Sequence, residues 1–171
     1  MKRKLIVALG NPGKKYENTR HNAAWKFVES LGLFWTAEPD FLADISVSDS
    51  FVYMCPTTYM NLSGNAVKAY CDFYKIRAED VVVIHDDVDV KIGNTKIVSG
   101  GGSSHNGIRS IVSAIGGDFI RVKIGVGRPP KDAGIELIDW VLGEFSEDEL
   151  TSLQPVFEFV KSYLWGLEDA V

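Results

Sequence analysis

The chain has 171 residues, of which 46% are hydrophobic and 24% are charged, and its formal net charge is −5 at pH 7. This length predicts one globular domain, spanning residues 1–171, that is large enough to bury a core. No apolar run approaches the roughly 20 residues of a membrane span, which excludes a membrane-spanning protein, and the run after the basic N-terminus is too short for a signal peptide. Cys55 and Cys71 lack a C-x-x-C spacing, which argues against a zinc cage or disulfide framework and favours a reducing, cytoplasmic location.

The first predicted elements are a buried strand and an amphipathic helix. Residues 4–9 are apolar and run into the turn Gly-Asn-Pro-Gly at residues 10–13, which places Asn11 at the end of a core strand. Thr19 or Asn22 can cap the helix that follows. The core-facing positions of that helix are Ala24, Phe27, Val28 and Leu31.

A hairpin and a strand–helix–strand unit are predicted next. Residues 41–47 and 51–55 have strand character around a polar turn, and helical periodicity begins after Ser63, a good cap. The β-branched run from Val81 predicts a strand buried on both faces. This order predicts a right-handed crossover with parallel pairing.

The strand from Val81 ends in His85, Asp86 and Asp87. Ligands of open α/β sheets bind just beyond the carboxyl ends of the strands. We therefore expect a functional site at this strand end.

The C-terminal half continues with further alternating elements. Residues 93–99 predict a strand, residues 108–115 a helix and residues 119–126 another strand. The glycine-rich loop at residues 100–107 predicts backbone amides that approach an anion or a substrate strand at a helix N-terminus. The tail from residue 135 onwards is predicted to be helical. Its apolar stripe consists of Val156, Phe157, Phe159, Val160, Tyr163 and Leu164.

Charge is distributed unevenly along the chain. Residues 1–26 and 91–131 each carry seven basic residues against one acidic residue, whereas residues 27–90 and 132–171 are net −8 and −9. Basic segments separated by acidic ones predict a polarised surface that suits a polyanionic partner. Charges scattered over a solvated surface are the alternative.

Spacing excludes several common sites. The glycine loop matches neither a P-loop nor a dinucleotide-binding fingerprint, the aspartates do not continue as a calcium loop, and no nucleophile elbow or adjacent cysteine–histidine pair is present. A metal site built from His21, His85, His105 and the nearby aspartates stays open, because imidazole and carboxylate are good zinc or manganese ligands. Its ligands lack the tight helical spacing of a metal signature.

What remains is a histidine, a carboxylate and a set of amides. They are His21, Asp86, Asn11, Asn61 and Asn106, with each amide at a predicted strand end or helix start. A histidine can take a proton from water near neutral pH, and a carboxylate on its other nitrogen fixes the tautomer and stabilises the imidazolium. Amides can donate to an oxyanion without adding charge. Each residue alone could equally be a turn, loop or cap residue, so the prediction depends on their joint occurrence.

Five sequence blocks, in order, resemble the bacterial peptidyl-tRNA hydrolase family. They are KLIVALGNPGKKYENTRHNAAW, PTTYMNLSG, VVVIHDDVD, GGGSSHNGIRSI and FIRVKIGVGRP, which extend from residue 4 to about residue 130. The resemblance implies a single α/β domain with a twisted, mostly parallel mixed sheet flanked by helices. It also implies a hydrolase that cleaves the ester between the peptide and the tRNA 3′ end, recycling tRNA from aborted translation without a metal or cofactor.

The resemblance further implies roles for individual residues. His21 would be the base that activates water, Asp86 its orienting partner and Asn11 a further catalytic residue. Four residues would hold the substrate: Tyr16, Met60, Asn61 and Asn106. Three basic residues would contact tRNA phosphate: Lys96, Arg121 and Lys123. Lys123 stands where the family usually has arginine, which keeps the charge but loses the bidentate fork.

The expected partner is the acceptor end of peptidyl-tRNA, and the expected protein is a cytoplasmic monomer without membrane contact. A second interpretation is a non-catalytic RNA-binding relative of the same fold. Retention of His21, Asp86 and the three asparagines favours the enzyme.

Overall fold

The computed structural model describes residues 3–169 as a seven-stranded sheet with helices on both faces. The strands are β1 (Lys4–Ala8), β2 (Thr36–Glu38), β3 (Ala43–Val47), β4 (Phe51–Pro56), β5 (Val81–Asp87), β6 (Thr95–Ser99) and β7 (Ile120–Gly125). The helices are α1 (Ala23–Glu29), α2 (Ser63–Tyr74), α3 (Asn106–Ile115), α4 (Leu137–Val141) and α5 (Glu147–Asp169). Among these residues, no helix combines the length and apolarity needed to cross a bilayer.

The strands follow the order β2-β3-β4-β1-β5-β7-β6 across the sheet. The central strands β4, β1, β5 and β7 are parallel, whereas β2, β3 and β6 pair antiparallel at the two edges. The predicted α/β class with a mixed sheet is confirmed, as is the β3–β4 hairpin. β4 and β5 are parallel as predicted but do not pair with each other, because β1 lies between them and pairs with both.

Alternate residues of the central strands enter two separate cores. Leu5 and Val7 of β1 pack with side chains of α2 and α3, whereas Ile6 and Ala8 pack with α1 and α5. All four side chains are fully buried. A strand covered by helices on both faces needs apolar residues at every position, which explains the continuous apolar runs of β1 and β5.

Local details differ from the sequence prediction at several places. Ser63 is the first residue of α2 and not its cap, because its hydroxyl donates to the Met60 carbonyl at 2.8 Å. Phe159 is 53% exposed and lies outside the core stripe of α5. The short edge strand β2 carries no alternating apolar pattern, so the sequence does not predict it.

Helices α2 and α3 approach each other closely at Gly64. Its backbone amide donates to Ser110 Oγ at 2.8 Å, and a Cβ at this position would lie 2.2 Å from the Ser110 carbonyl oxygen. Because the obstacle is backbone, it cannot rotate away as a side chain could. Only glycine therefore fits at this helix crossing.

We expect Gly64→Ala to lower the free energy of unfolding by about 1–3 kcal/mol, the usual cost of overpacking. Urea denaturation measures this change. Gly166→Ala on α5 is the matched control, because nothing lies within 4 Å of its added Cβ. Alanine there should leave the stability unchanged or raise it by up to about 1 kcal/mol. A Gly64→Ala variant as stable as the parent protein would contradict the close approach of the two helices.

Candidate active site

The polar residues at the end of β5 lie at the carboxyl edge of the central sheet. His85, Asp86 and Asp87 are the last residues of the strand itself. Successive side chains of a strand point to opposite faces, so His85 and Asp86 enter different sides of the sheet. They are 0% and 1% exposed, respectively. The strand end thus holds a buried carboxylate, which needs partners.

Asp86 receives those partners from two distant parts of the chain. Its Oδ2 lies 2.8 Å from Nδ1 of His21, and its Oδ1 lies 2.8 Å from Nε2 of His105. His21 belongs to a short 3-10 turn after β1, and His105 immediately precedes α3. The predicted meeting of His21 with Asp86 is therefore present, and His105 completes the cluster.

The tautomer of His105 is fixed by its backbone contacts. Its Nδ1 accepts from the amides of Gly107 at 3.1 Å and Ile108 at 3.3 Å, so this nitrogen carries the lone pair. The proton of the neutral ring then sits on Nε2 and is donated to Asp86. His105 thus caps α3 with its ring. The amides of Gly107 and Ile108 are consequently not available to the anion that the sequence led us to expect at this helix end.

His21 has the opposite arrangement. Its Nδ1 donates to Asp86, which leaves the lone pair on Nε2, and no group of the described residues is hydrogen-bonded to Nε2. Burial lowers the pKa of His21, but the charge of Asp86 and the hydrogen bond to it outweigh burial and raise the pKa above 6.5. His21 is therefore a base that Asp86 strengthens.

Asp86 and the neighbouring His85 are each held in a single protonation state. Burial alone would raise the pKa of Asp86, but His21 and His105 together hold it well below its usual range, so the carboxylate stays ionised. Complete burial, followed by the neighbouring His105, lowers the pKa of His85 to about 3. His85 therefore stays neutral, and its Nδ1 donates to the backbone carbonyl of Asp86 at 2.8 Å.

Asn11 is held from two sides. The fully buried Asn22 accepts from the Asn11 amide at 2.9 Å and donates to the Asn11 carbonyl at 3.0 Å. Asn22 thus clamps the end of β1, and its side chain does not cap α1. The Asn11 Oδ1 accepts from the Met60 amide at 2.8 Å, and Nδ2 has no acceptor within the described chain. The Nδ2 donor of Asn11 is thus left for a ligand.

A cleft of about 310 Å³ opens beside the cluster. It is lined by His21, Asp86, Asp87, Val88, Asp89, Gly102, Ser103, Ser104, His105, Asn106, Lys123, Leu137, Ile138 and Val141. The lining thus combines apolar side chains of α4 with acidic residues and the glycine loop. Of the residues predicted to act on or hold the substrate, His21, Asp86 and Asn106 line this cleft. Its lining does not include the other four, Asn11, Tyr16, Met60 and Asn61.

The basic residues predicted to bind phosphate occupy different environments. Lys96 is exposed and lies opposite Lys123 across the β6–β7 pair. Lys123 also forms an ion pair with Asp87 at 3.3 Å. Arg121 is only 5% exposed, which argues against the phosphate contact predicted for it.

The glycine loop explains the burial of Arg121. Its Nε donates to the Gly100 carbonyl at 3.0 Å, and its Nη2 donates to the Gly102 carbonyl at 3.4 Å. Carbonyl groups of the loop turn inwards to receive the guanidinium. Arg121 therefore stabilises the conformation of the glycine loop through these two hydrogen bonds.

The donor set of His21, Asp86 and His105 does not fit a metal, although the ligand atoms lie within 4.8 Å of one another. Binding through Nε2 would move the proton of a neutral His105 to Nδ1. That proton would then face the amide hydrogens of Gly107 and Ile108. A metal here would also replace both hydrogen bonds of the carboxylate. The residues suit proton transfer better than ligation.

Sequence reasoning missed the contributions of His105 and Asn22. A histidine in the glycine-rich loop, near the start of the next predicted helix, was the available signal for His105. Its hydrogen bonds to Asp86 and to the helix amides depend on the fold. Asn22 has the residue type of a helix cap and stands at a helix start, which hides its contact with Asn11.

Comparisons with known proteins agree with one another. A family model described as peptidyl-tRNA hydrolase matches residues 5–168. A peptidyl-tRNA hydrolase of Sulfurovum sp. (strain NBC37-1) is 40% identical over 163 residues, covering 92% of this chain and 85% of the relative. A peptidyl-tRNA hydrolase of Campylobacter curvus is 45% identical over 159 residues, covering 91% of this chain and 84% of the relative. The crystal structure of peptidyl-tRNA hydrolase from Acinetobacter baumannii superimposes with a TM-score of 0.82 at 35% identity, covering 91% of this chain and 83% of that one.

The hydrogen bonds predict which ring nitrogen carries the proton in each of the three histidines. At alkaline pH we expect the ring proton on Nδ1 of His21, on Nε2 of His105 and on Nδ1 of His85. On acidification His21 should titrate above 6.5, whereas His85 should stay neutral to about pH 3. Nitrogen-15 NMR of the ring nitrogens measures both properties. A proton on Nδ1 of His105 would contradict the cap and the shared carboxylate.

Proposed function

The chain belongs to the peptidyl-tRNA hydrolase family, and on this premise we propose that His21 is the general base with which it hydrolyses peptidyl-tRNA. The observation that carries the proposal is the pair of hydrogen bonds on Asp86. They leave Nε2 of His21 with a lone pair beside a cleft, and they leave His105 without a comparable free nitrogen.

In the proposed reaction, water gives a proton to Nε2 of His21 while its oxygen bonds to the ester carbonyl carbon. The carbonyl oxygen takes the electron pair and becomes an oxyanion. When this intermediate collapses, the bond to the tRNA 3′ oxygen breaks, and that oxygen takes the proton from His21. The products are a peptide acid and a tRNA with a free hydroxyl group. Asp86 stabilises the imidazolium throughout.

Asn11 is the proposed donor to the oxyanion. Its Oδ1 is committed to the Met60 amide, so the side chain can present only its Nδ2 hydrogens to a ligand. Asn22 fixes the backbone from which this amide projects. A positioned donor of this type typically contributes a factor of about 10²–10³ to the rate. Tyr16, Asn61, Asn106 and Met60 are proposed to hold the peptide and the acceptor end.

Lys96 and Lys123 are the proposed contacts for tRNA phosphate. Directly opposed residues of an antiparallel pair project from the same face, so the two ammonium groups can act on one stretch of backbone. For Arg121 we propose support of the glycine loop in place of the phosphate contact expected from the sequence. We further propose that the protein acts as a cytoplasmic monomer and recycles tRNA from aborted translation.

Asp86→Asn should abolish most of the activity. The two histidines each donate one N–H group to Asp86, whereas the asparagine side chain has only one oxygen to accept them. His105 cannot change its tautomer without losing the α3 amides, so the new amide NH₂ would force the His21 proton onto Nε2. We expect kcat/KM to fall by about 10³–10⁴. In the parent protein, kcat/KM should fall tenfold per pH unit below the raised His21 pKa. Release of tRNA from N-blocked aminoacyl-tRNA, measured against pH, tests both expectations.

Two controls accompany this assay. His21→Ala should be inactive at every pH, and parent protein treated with a chelator should keep full activity, whereas a metal hydrolase would lose it. An inactive parent protein that still binds the tRNA would favour the non-catalytic RNA-binding relative over the enzyme.

Salt dependence should separate the two lysines. Lys96→Ala should reduce the slope of log Kd against log salt by about 1, the contribution of one phosphate contact. Lys123→Ala should reduce it less, because Asp87 already balances that charge. Binding of tRNA to the His21→Ala protein at several salt concentrations gives these slopes. Lys68→Ala, an exposed lysine on α2, is the control, and an unchanged slope in Lys96→Ala would remove its phosphate role.

A further inference from the structure

Arg20, the residue before His21, is 8% exposed and is held by partners around its guanidinium. Nε and Nη2 donate to the two carboxylate oxygens of Glu149 at 3.1 and 2.8 Å. Nη1 donates to the Trp140 carbonyl at 3.1 Å, and the guanidinium carbon lies 3.5 Å from the centroid of the Trp140 ring. The paired hydrogen bonds to Glu149 and the stacking on Trp140 together fix the position of the Arg20 side chain.

The acceptor of this fork is itself fixed. Glu149 lies in the first turn of α5 and forms a reciprocal pair with Ser146. The Ser146 amide donates to Glu149 Oε1 at 2.9 Å, and the Glu149 amide donates to Ser146 Oγ at 3.1 Å. Such a capping box anchors a helix start. Arg20 is thus bound to the end of a long helix and not to a mobile side chain.

Backbone contacts join the same two segments. Residues 18–20 and 143–145 are connected by two hydrogen bonds of 3.0 Å, which together form one antiparallel bridge. Gly143 packs directly against the Arg20 side chain, because a Cβ there would lie 2.8 Å from Arg20 Nη1 and 3.1 Å from the Trp140 carbonyl oxygen. The turn that carries His21 therefore rests against the segment between α4 and α5.

We propose that Arg20 is a positioning residue, which holds the backbone of His21 against α4 and α5 so that its imidazole meets Asp86. This inference rests on the proposed role of His21 as the base. Asp86 orients the His21 ring through a hydrogen bond, and Arg20 fixes the backbone next to His21 through its contacts with Glu149. Arginine suits this task, because its planar fork matches a carboxylate and stacks on an aromatic face, whereas lysine does neither.

Two variants test the proposal. Arg20→Lys keeps the charge but loses the fork and the stacking plane. Glu149→Gln keeps the shape of the side chain and one oxygen that can accept from the Ser146 amide. It removes the negative charge and one of the two oxygens that accept from Arg20. In both, kcat per folded molecule should fall about tenfold, because a small displacement of a catalytic group is costly. The double variant should be no worse than the more severe single variant, since both remove one interaction.

The titration of His21 is the readout that a merely structural role would not move. In both variants its pKa should fall towards 6.5, and the acid limb of kcat/KM should move to lower pH, because Asp86 holds the ring less closely. Glu147→Gln is the matched control: it removes the same charge from an exposed position in the same turn of α5 and should change neither quantity.

Either variant alone can test the role of Arg20 through kcat and the His21 pKa, so Glu149→Gln suffices if Arg20→Lys does not fold. Reduced thermal stability with an unaltered His21 titration and an unaltered kcat per folded molecule would overturn the proposal. The NMR titration does not depend on catalysis. If His21→Ala retained activity, the assignment of the base would fail, and the shift of the His21 pKa would still decide the role of Arg20.

Discussion

A carboxylate has two oxygens, and in this protein Asp86 gives each of them to a different imidazole. The two rings differ in what binds their other nitrogen. Backbone amides hold the far side of His105, whereas the far side of His21 has no protein partner in the described chain. The same charge therefore makes one histidine a fixed support and the other a base. The remaining features of the site maintain this difference.

The fold brings the three groups together by using the ends of its elements. β1 and β5 are neighbours in the sheet, so the turn after β1 lies beside the last residues of β5. The start of α3 reaches the same point, because Gly107 lets the helix approach Leu9 and Met60 without a side chain in between. A Cβ on Gly107 would lie 2.7 Å from the Met60 sulfur and 3.1 Å from the His105 ring. Close packing behind the site thus sets its geometry.

The sequence predicts the parts of the structure that follow from local patterns. Apolar runs identify β1 and β5, and polar residues at their ends, Asn11 and Asp86, mark the site. Contacts between distant segments are not encoded in such patterns. An arginine in a predicted strand is expected on the surface, but Arg121 is buried because its guanidinium donates to a carbonyl of the glycine loop. The residue type of Arg20 likewise gives no indication of a carboxylate 129 positions further along the chain.

The cleft also has an electrostatic asymmetry that bears on the end of a catalytic cycle. Asp87 and Asp89 are each paired with a cation, Lys123 and Arg128, whereas Asp86 is paired with the imidazole rings of His21 and His105. In the proposed reaction, ester cleavage would create a second carboxylate, that of the released peptide, in the cleft that Asp86 lines. Repulsion between the two anions would favour departure of the peptide and disfavour its rebinding. An uncharged ester would meet no such barrier, so the residue proposed to strengthen the base would also help the site to distinguish reactant from product.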